Sequence, residues 1–387
     1  MSRFSAVESL GYEGVKQSRS WFRNILVLFQ FSVAIFLIAA TFVVQKQVSL
    51  IMNDSLGFNK EQVIIVPDIY YVDNPETWLG ELRKIPEITE VALSSHVPGD
   101  QITNWGFGAE GVEPSFSLNA TITNEGYPDV MGLEMVEGRY FSKGFGSDTT
   151  SMVLNETAVR DLGLTDPIGM TFYLWNDREL PHEVIGVVKD HHWESKHSQV
   201  RPMVLMLLGS RGWSTPRYMS VRYSGKDSNK VLQVLEKQWK ELVPQIPFQY
   251  EFLDEHYEAI YHNEKQTRSL LYIFAAIAIF ISCLGLFGLA SFMADRRTKE
   301  IGIRKTNGAS TSNILRLLSL DFTKWVLLAN IIAWPLTWLA MRKWLQSFAY
   351  RTDISLWIFL VAGIIAFIIA IVTVSYHCLL YTSPSPR

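Results

Sequence analysis

The sequence predicts an integral membrane fold: four transmembrane α-helices, with one large α+β extracytoplasmic domain between the first and the second. Three observations carry that prediction. The 387 residues are 48% hydrophobic and only 19% charged, against about a quarter charged in an ordinary soluble domain. The apolar residues gather into four runs, each near the roughly 20 residues a helix needs to cross hydrocarbon. Between the first two runs lies a long polar stretch in which short Val- and Ile-rich segments alternate with helical periodicity.

The four runs are residues 25–44, 270–293, 325–341 and 356–374, the third carrying Pro335. The first is too long for the apolar region of a signal peptide, and no A-x-A site follows it. Lys and Arg near the short loops set the orientation. Arg3, Lys16, Arg19 and Arg23 precede the first run, and Arg296, Arg297, Lys299, Arg304, Lys305 and Arg316 lie between the second and third. Both segments are therefore expected inside. The predicted order is a cytoplasmic N-terminal segment (1–23), span 1 (24–44) and an outer domain with stalk helices (45–269). Span 2 (270–293), a cytoplasmic coupling segment (294–324), span 3 (325–341), an external loop (342–355), span 4 (356–376) and a tail (377–387) follow. Trp21, Trp325, Trp344 and Trp357 fall near the boundaries, where an aromatic belt sits.

In the outer domain, residues 62–67 and 88–95 read as strands flanking a helix at 75–85, with Pro75 in its first turn. The same order returns as strand 217–224, helix 228–242 and strand 248–254. Leu232, Leu235, Trp239 and Leu242 repeat at helical spacing in that helix, and Pro244 stops it. Two such units predict a ferredoxin-like split β-α-β core. Residues 96–216, rich in Gly and Pro, are then an inserted subdomain, with a strand at 183–189. Residues 45–55 and 254–269 read as stalk helices continuous with spans 1 and 2, because no run of Gly and Ser interrupts them.

The chemistry-bearing motifs are sparse. Gly106, Gly108 and Gly111 match G-x-G-x-x-G, but Pro114 follows where a phosphate-binding helix would have to begin. Asp190, His191, His192, Glu194 and His197 cluster after a strand; the spacing shows no defined ligand geometry and reads as a solvated loop. No P-loop, nucleophile elbow, H-E-x-x-H or C-x-x-C occurs. The expectation is therefore no catalytic, cofactor-binding or metal-binding residue, and no cofactor. The net charge of −3 gives no reason to expect a nucleic-acid partner. Only Cys283 and Cys378 are present, so no disulfide framework holds the outer domain.

Two sets of residues do carry a functional signal. Ala278, Ser282, Gly285 and Gly288 in span 2, and Ala362, Ala366 and Ala370 in span 4, form small-residue rows that let helices pack closely in lipid. After span 2, the segment Arg296, Arg297, Thr298, Lys299, Glu300, Ile301, Gly302, Ile303, Arg304, Lys305, Thr306, Asn307, Gly308, Ala309, Ser310 alternates basic and apolar residues between glycines. A positive-inside loop accounts for the charge but not the isoleucines, whereas an element that docks a partner accounts for both.

That segment resembles the signature of the MacB/FtsX-type ABC transporter permeases, close to R-T-K-E-I-G-I-R-K-x-x-G-A-S. Thr298 through Lys305 and Gly308 through Ser310 match it position by position. Residues 283–291, 21–24, 155–158, 166–169 and 184–190 are also similar to the family, so the resemblance covers roughly residues 20 to 376. It implies a separate ABC ATPase that contacts Arg296, Thr298, Lys299, Glu300, Ile301, Gly302, Ile303, Arg304, Lys305, Gly308, Ala309 and Ser310. It also implies a second permease unit, as a dimer or a tandem half, and a periplasmic adaptor or substrate-binding partner. ATP-driven motion would pass through the spans to the outer domain of a bacterial inner-membrane protein with both termini in the cytoplasm. A non-transporting regulatory role of the FtsX type and a membrane-anchored enzyme working through the His191 region are the alternatives. Residues 1–20 look like an inter-unit linker, which makes the chain the C-terminal half of an eight-span permease. Residues 377–387 do not fit the family and read as a non-native tail.

Overall fold

The computed structural model describes residues 7–53, 55–109, 112–175, 177, 179, 181–210, 215–225, 227–296, 303, 306 and 311–382. The chain divides into a membrane unit (Met1–Leu50, Asn263–Ser347 and Arg351–Arg387) and an outer unit (Ile51–His262 with Phe348–Tyr350).

The membrane unit contains four helices long and apolar enough to span, at Asn24–Met52, His262–Phe292, Thr323–Leu345 and Leu356–Tyr376. The first lies inside a continuous helix, Val7–Asn53. The other three belong to helices His262–Arg296, Thr311–Leu345 and Leu356–Thr382. Val27, Phe31, Ile35 and Ala39 line one stripe of the first span helix and join Leu286 and Leu289 of the second in one core. Val326, Ala329 and Ala333 of the third and Phe359, Ala362, Ala366 and Ala370 of the fourth complete it. The i, i+4 spacing of alanines gives the fourth helix a flat face, so its partner's backbone can come close. Pro335 lies inside the third helix without ending it, as is common for proline within spans.

The outer unit is built on one 11-stranded sheet. In chain order its elements are β1 (Val63–Val66), α1 (Pro75–Leu82), β2 (Ile88–Ser94), β3 (Thr103–Ala109), β4 (Val112–Thr123) and α2 (Tyr127–Met131). Then come β5 (Met135–Gly138), β6 (Ser151–Asn155), α3 (Glu156–Asp161), β7 (Thr171–Leu174), β8 (Pro181–Val188) and β9 (Met203–Leu207). The last are β10 (Tyr218–Tyr223), α4 (Ser228–Leu242), β11 (Glu251–Phe252) and α5 (Leu253–Ala259).

At one end the order is β11-β1-β10-β2, all antiparallel. With α1 and α4 as the crossovers, this is the ferredoxin-like core the sequence predicts. Asn74 caps α1 by accepting from Thr77 N at 3.2 Å, and Asp227 caps α4. Trp78 and Leu79 of α1 and Val231, Leu235 and Trp239 of α4 bury against Ile64, Val91, Met219 and Val221 of the sheet. The last strand is shorter than the predicted 248–254. Pro247 lacks a donor for the ladder, and Leu253 already begins α5.

The insertion closes on itself. β4, β3, β7, β8, β6 and β9 pair in that order, and β9 returns to pair parallel with β4 from Asn119↔Met203 to Thr123↔Leu207. Alternate residues face inward, as a closed sheet requires: Leu118, Ala120 and Ile122, Met152 and Leu154, Phe172 and Leu174, Val204 and Met206. The opposite faces of β6, β8 and β9, with Val153, Ile185, Val188, Met203 and Leu205, pack against Val63, Ile65 and Ala92. Barrel and ferredoxin-like half thus share a core.

Candidate functional site

Most of the basic segment after span 2 lies outside the described residues. Arg296 ends its helix; Thr298, Lys299, Glu300, Ile301, Gly302, Arg304, Lys305, Gly308, Ala309 and Ser310 fall among the rest. Ile303 is described, helical and 64% exposed, and the Thr306 hydroxyl donates to its carbonyl at 2.8 Å.

The small-residue positions of the spans separate into two behaviours. Ala362, Ala366 and Ala370 are buried in the four-helix core. Ser282 is also buried, and its hydroxyl reaches the carbonyls of Ala278 (2.7 Å) and Gln30 (3.3 Å). A methyl group on Gly285 would collide with Oε1 of Gln30, and one on Gly363 with Oδ1 of Asn330. Glycine at each point leaves room for an amide from a neighbouring helix. The Asn330 amide is itself anchored, accepting from Trp334 Nε1 at 2.9 Å and donating to Val326 O at 2.8 Å. Gly288 stands apart, because a methyl there would meet nothing within 4 Å and the residue is exposed. It makes no close approach inside the four-helix group.

In the outer unit, the segment that follows β8 is not a solvated loop. His191, Trp193 and Lys196 are 2%, 5% and 0% exposed. The reason is local. The first span helix stops at Asn53, and Gly57 turns the chain with φ +77°. A Cβ on Gly57 would lie 2.5 Å from Asp190 O and 2.8 Å from His191 Cα, so only glycine lets the two backbones touch. His192 N donates to Leu56 O at 2.7 Å, and Lys196 Nζ donates to Ser55 O at 3.2 Å.

The approach to span 2 holds the same segment from another side. The predicted continuous stalk breaks at Ile260 and Tyr261, between α5 and the helix that starts at His262. The break turns Tyr261 inward, where it is 2% exposed and its hydroxyl accepts from Lys196 N at 2.9 Å. The Tyr257 hydroxyl donates to the carbonyls of His192 (3.0 Å) and Glu194 (2.9 Å); burial pushes its pKa far above that of a free phenol. Burial lowers the pKa of His191, which therefore stays neutral. Asp190 is used structurally, accepting from Thr157 N, Thr157 Oγ1 and Asn155 Nδ2 at 2.8, 2.6 and 3.0 Å. Among the described residues, no three His, Cys, Asp or Glu side chains come together as a set able to hold a metal ion. An open cleft of about 530 Å³ beside the segment is lined by Arg160, Lys189, Asp190, His192 and Tyr350. Its cations already face carboxylates: Lys189 lies 2.8 Å from Glu134, and Arg160 3.7 Å from Asp190.

A second polar cluster sits where α5 begins. His256 Nδ1 lies 2.6 Å from Glu251 and Nε2 lies 3.3 Å from Asp100. Hydrogen bonding to Asp100, helped by Glu251 and opposed by burial, raises the pKa of His256. Burial pushes Asp100 up, but bonds from His256 and Tyr218 outweigh it and hold its pKa below the usual carboxylate value. The Gly106–Gly108 pair lies in β3, which pairs antiparallel with β4, and Gly111 lies outside the described residues. No helix N-terminus follows that could hold a phosphate.

Four helices long and apolar enough to span, with one large outer domain inserted after the first, define a multi-pass membrane protein. A model of the MacB-like periplasmic core domain matches residues 30–237, over half of the chain, and a model of the FtsX-like permease C-terminal region matches residues 272–384. The chain belongs to the MacB/FtsX family of ABC transporter permeases, which are non-catalytic, membrane-embedded components. Among curated relatives, it is 25% identical over 253 residues to the pyoverdine export ATP-binding/permease protein PvdT of Pseudomonas syringae pv. syringae, covering 62% of this chain and 36% of that one. It is 28% identical over 202 residues to the macrolide export ATP-binding/permease protein MacB of Neisseria gonorrhoeae, covering 50% and 30%. The chain thus spans about a third of the length of the curated relatives it matches. The solved periplasmic region of MacB from Actinobacillus actinomycetemcomitans aligns at TM-score 0.40 with 18% identity, covering 55% of this chain and 98% of that one. The extracellular domain of the Gram-positive transporter YknZ aligns at 0.37 with 16% identity, covering 49% and 98%.

Proposed function

We propose that this chain is the permease part of an export system of the bacterial inner membrane, driven by a separate ABC ATPase. The ATPase docks on the basic segment from Arg296 to Ser310, and its closure moves the spans and thereby the outer domain. A second permease unit completes the transporter, and an adaptor or substrate-binding protein meets the outer domain. Both termini lie in the cytoplasm, in keeping with the lysines and arginines before span 1 and after span 2.

The observation that carries this reading is the membership in the permease family, together with the match of Thr298 through Lys305 to its signature. The names of the relatives join ATP-binding and permease parts, whereas these 387 residues contain no P-loop. The helix Val7–Asn53 is in keeping with mechanical transmission, because it runs unbroken through the whole first apolar run. The export names of both relatives favour transport over a purely regulatory role.

Co-purification from membranes tests the reading. The chain is expected to bring down an ABC ATPase, and the charge reversal Arg304→Glu with Lys305→Glu to abolish the association while leaving membrane insertion intact. Recovery of the chain without any ATPase, or undiminished pairing in the double variant, overturns it.

A further inference from the structure

A small cavity of about 20 Å³ lies in the outer unit, where the chain between β8 and β9 passes β4. Asn119 of β4, His191 and Trp193 are among its walls, and each is more than nine-tenths buried. The two rings stand 6.2 Å apart, centroid to centroid. Glu194 and Arg201 also line it, but their charges face each other at 3.5 Å. Two polar atoms in these walls stand out. Among the described residues, His191 Nε2 and Trp193 Nε1 are out of reach of bulk solvent and have no hydrogen-bond partner. Buried polar atoms are rarely left this way, because each gives up its hydration for nothing.

The chemistry of the two atoms is complementary. The other nitrogen of His191, Nδ1, lies 3.3 Å from Lys189 O. A carbonyl oxygen only accepts, so the ring proton sits on Nδ1. Burial keeps the imidazole neutral, which leaves a lone pair on Nε2. The indole Nε1 of Trp193 can only donate. One atom therefore needs a donor and the other an acceptor.

We propose that this cavity is a binding site for one ordered water, which donates to His191 Nε2 and accepts from Trp193 Nε1. Size and partners both select this ligand. A buried water needs roughly 10–15 Å³ and two to four polar partners. The cavity meets the first requirement and is too small for an organic molecule. The Asn119 amide supplies a third polar group, since Leu118, Ala120 and Ile122 take the inward face of β4 and leave Asn119 on the other. A bare cation would suit the Nε2 lone pair but is repelled by the indole N–H, and an anion meets the reverse mismatch. The water also accounts for the residue types. Phenylalanine at either position would fill a similar space, but neither ring could then hold the molecule.

The direct test is a density map of the full chain in lipid, at a resolution that shows ordered solvent. A peak is expected within about 2.7–3.2 Å of both His191 Nε2 and Trp193 Nε1. A cavity without a peak, or a peak that touches neither atom, overturns the proposal. A second measurement needs no map. In proteoliposomes of the chain labelled with ¹⁵N-histidine and ¹⁵N-tryptophan, His191 is expected in its neutral Nδ1–H form near neutral pH. Magnetisation is expected to pass from water to the indole proton of Trp193, a signal assigned by its loss in Trp193→Phe. In His191→Phe that transfer is expected to fall by roughly threefold or more, because the water loses its acceptor. A His191 ring protonated on Nε2, no transfer in the parent chain, or undiminished transfer in His191→Phe each overturns the site. The parent-chain readings decide the matter even if His191→Phe does not fold.

Discussion

Replacing Asp148 by Asn should be among the most damaging single-atom changes in the outer domain. The carboxylate is fully buried, and it accepts from Arg139 at 2.7 and 2.8 Å and from Ser142 N at 2.8 Å. The Arg139 guanidinium holds the carboxyl below its usual pKa, against the opposing effect of burial. An amide of the same shape keeps one acceptor and turns the other into a donor, which then faces a donor. Breaking a buried pair costs about 3–5 kcal/mol. Arg139 is 37% exposed and can recover part of its hydration, which places the cost near ~3 kcal/mol. For a domain of this size that corresponds to a melting point lower by roughly 6–12 °C. The assay is thermal unfolding of the full chain in detergent, followed by tryptophan fluorescence, beside the paired variant Arg139→Met with Asp148→Leu. The pair should recover part of the loss, because no unpaired charge remains. Melting of Asp148→Asn within 1 °C of the parent would refute the claim that the buried Asp148 carboxylate depends on these bonds.

Gly57→Ala should lower the melting point by an amount equivalent to about 1–3 kcal/mol, from the strained backbone and the collision with Asp190; an unchanged melting point would show that the close approach is absent. The His256 cluster should make stability depend on pH. Its folded-state pKa lies above the ordinary 6.5, so its contribution is complete below pH 6.5 and is lost as pH rises through the folded value. Melting curves from pH 6 to 9 should show that loss, and His256→Gln should flatten it. Leu235→Ala, at a fully buried position of α4, should destabilise by about 2–5 kcal/mol in denaturant titration, whereas Lys237→Ala on the exposed face should change little.

Much of this architecture is legible in the residues, and the reasons for the gaps are physical. Spans declare themselves because hydrocarbon demands length and apolarity within one segment. The ferredoxin-like half is legible because each crossover pairs a strand with the helix that follows it, and α4 carries its Leu235–Trp239 stripe openly. The barrel is not legible, since its closure depends on β4 meeting β9 in parallel, a pairing that no local periodicity encodes. The burial of the segment after β8 escapes for a different reason. Its partners are the carbonyls of Ser55 and Leu56 and the hydroxyls of Tyr257 and Tyr261, groups that look the same in every loop. The hints were Trp193 among the histidines and the aromatic pair Phe348 and Tyr350 in a short loop, too apolar a set for solvent. The stalk break at Tyr261 belongs with it, because the helix yields there to bury a ring.

The place where the barrel joins the ferredoxin-like half carries an evolutionary consequence. Ser94 at the end of β2 and Tyr218 at the start of β10 are direct cross-strand partners, so the intervening chain leaves and returns at a single rung of the ladder. A segment whose ends are already neighbours can be enlarged, trimmed or exchanged without moving the strands that frame it. Selection can therefore remodel the inserted segment while β11, β1, β10 and β2, the strands that frame it, keep their ladder.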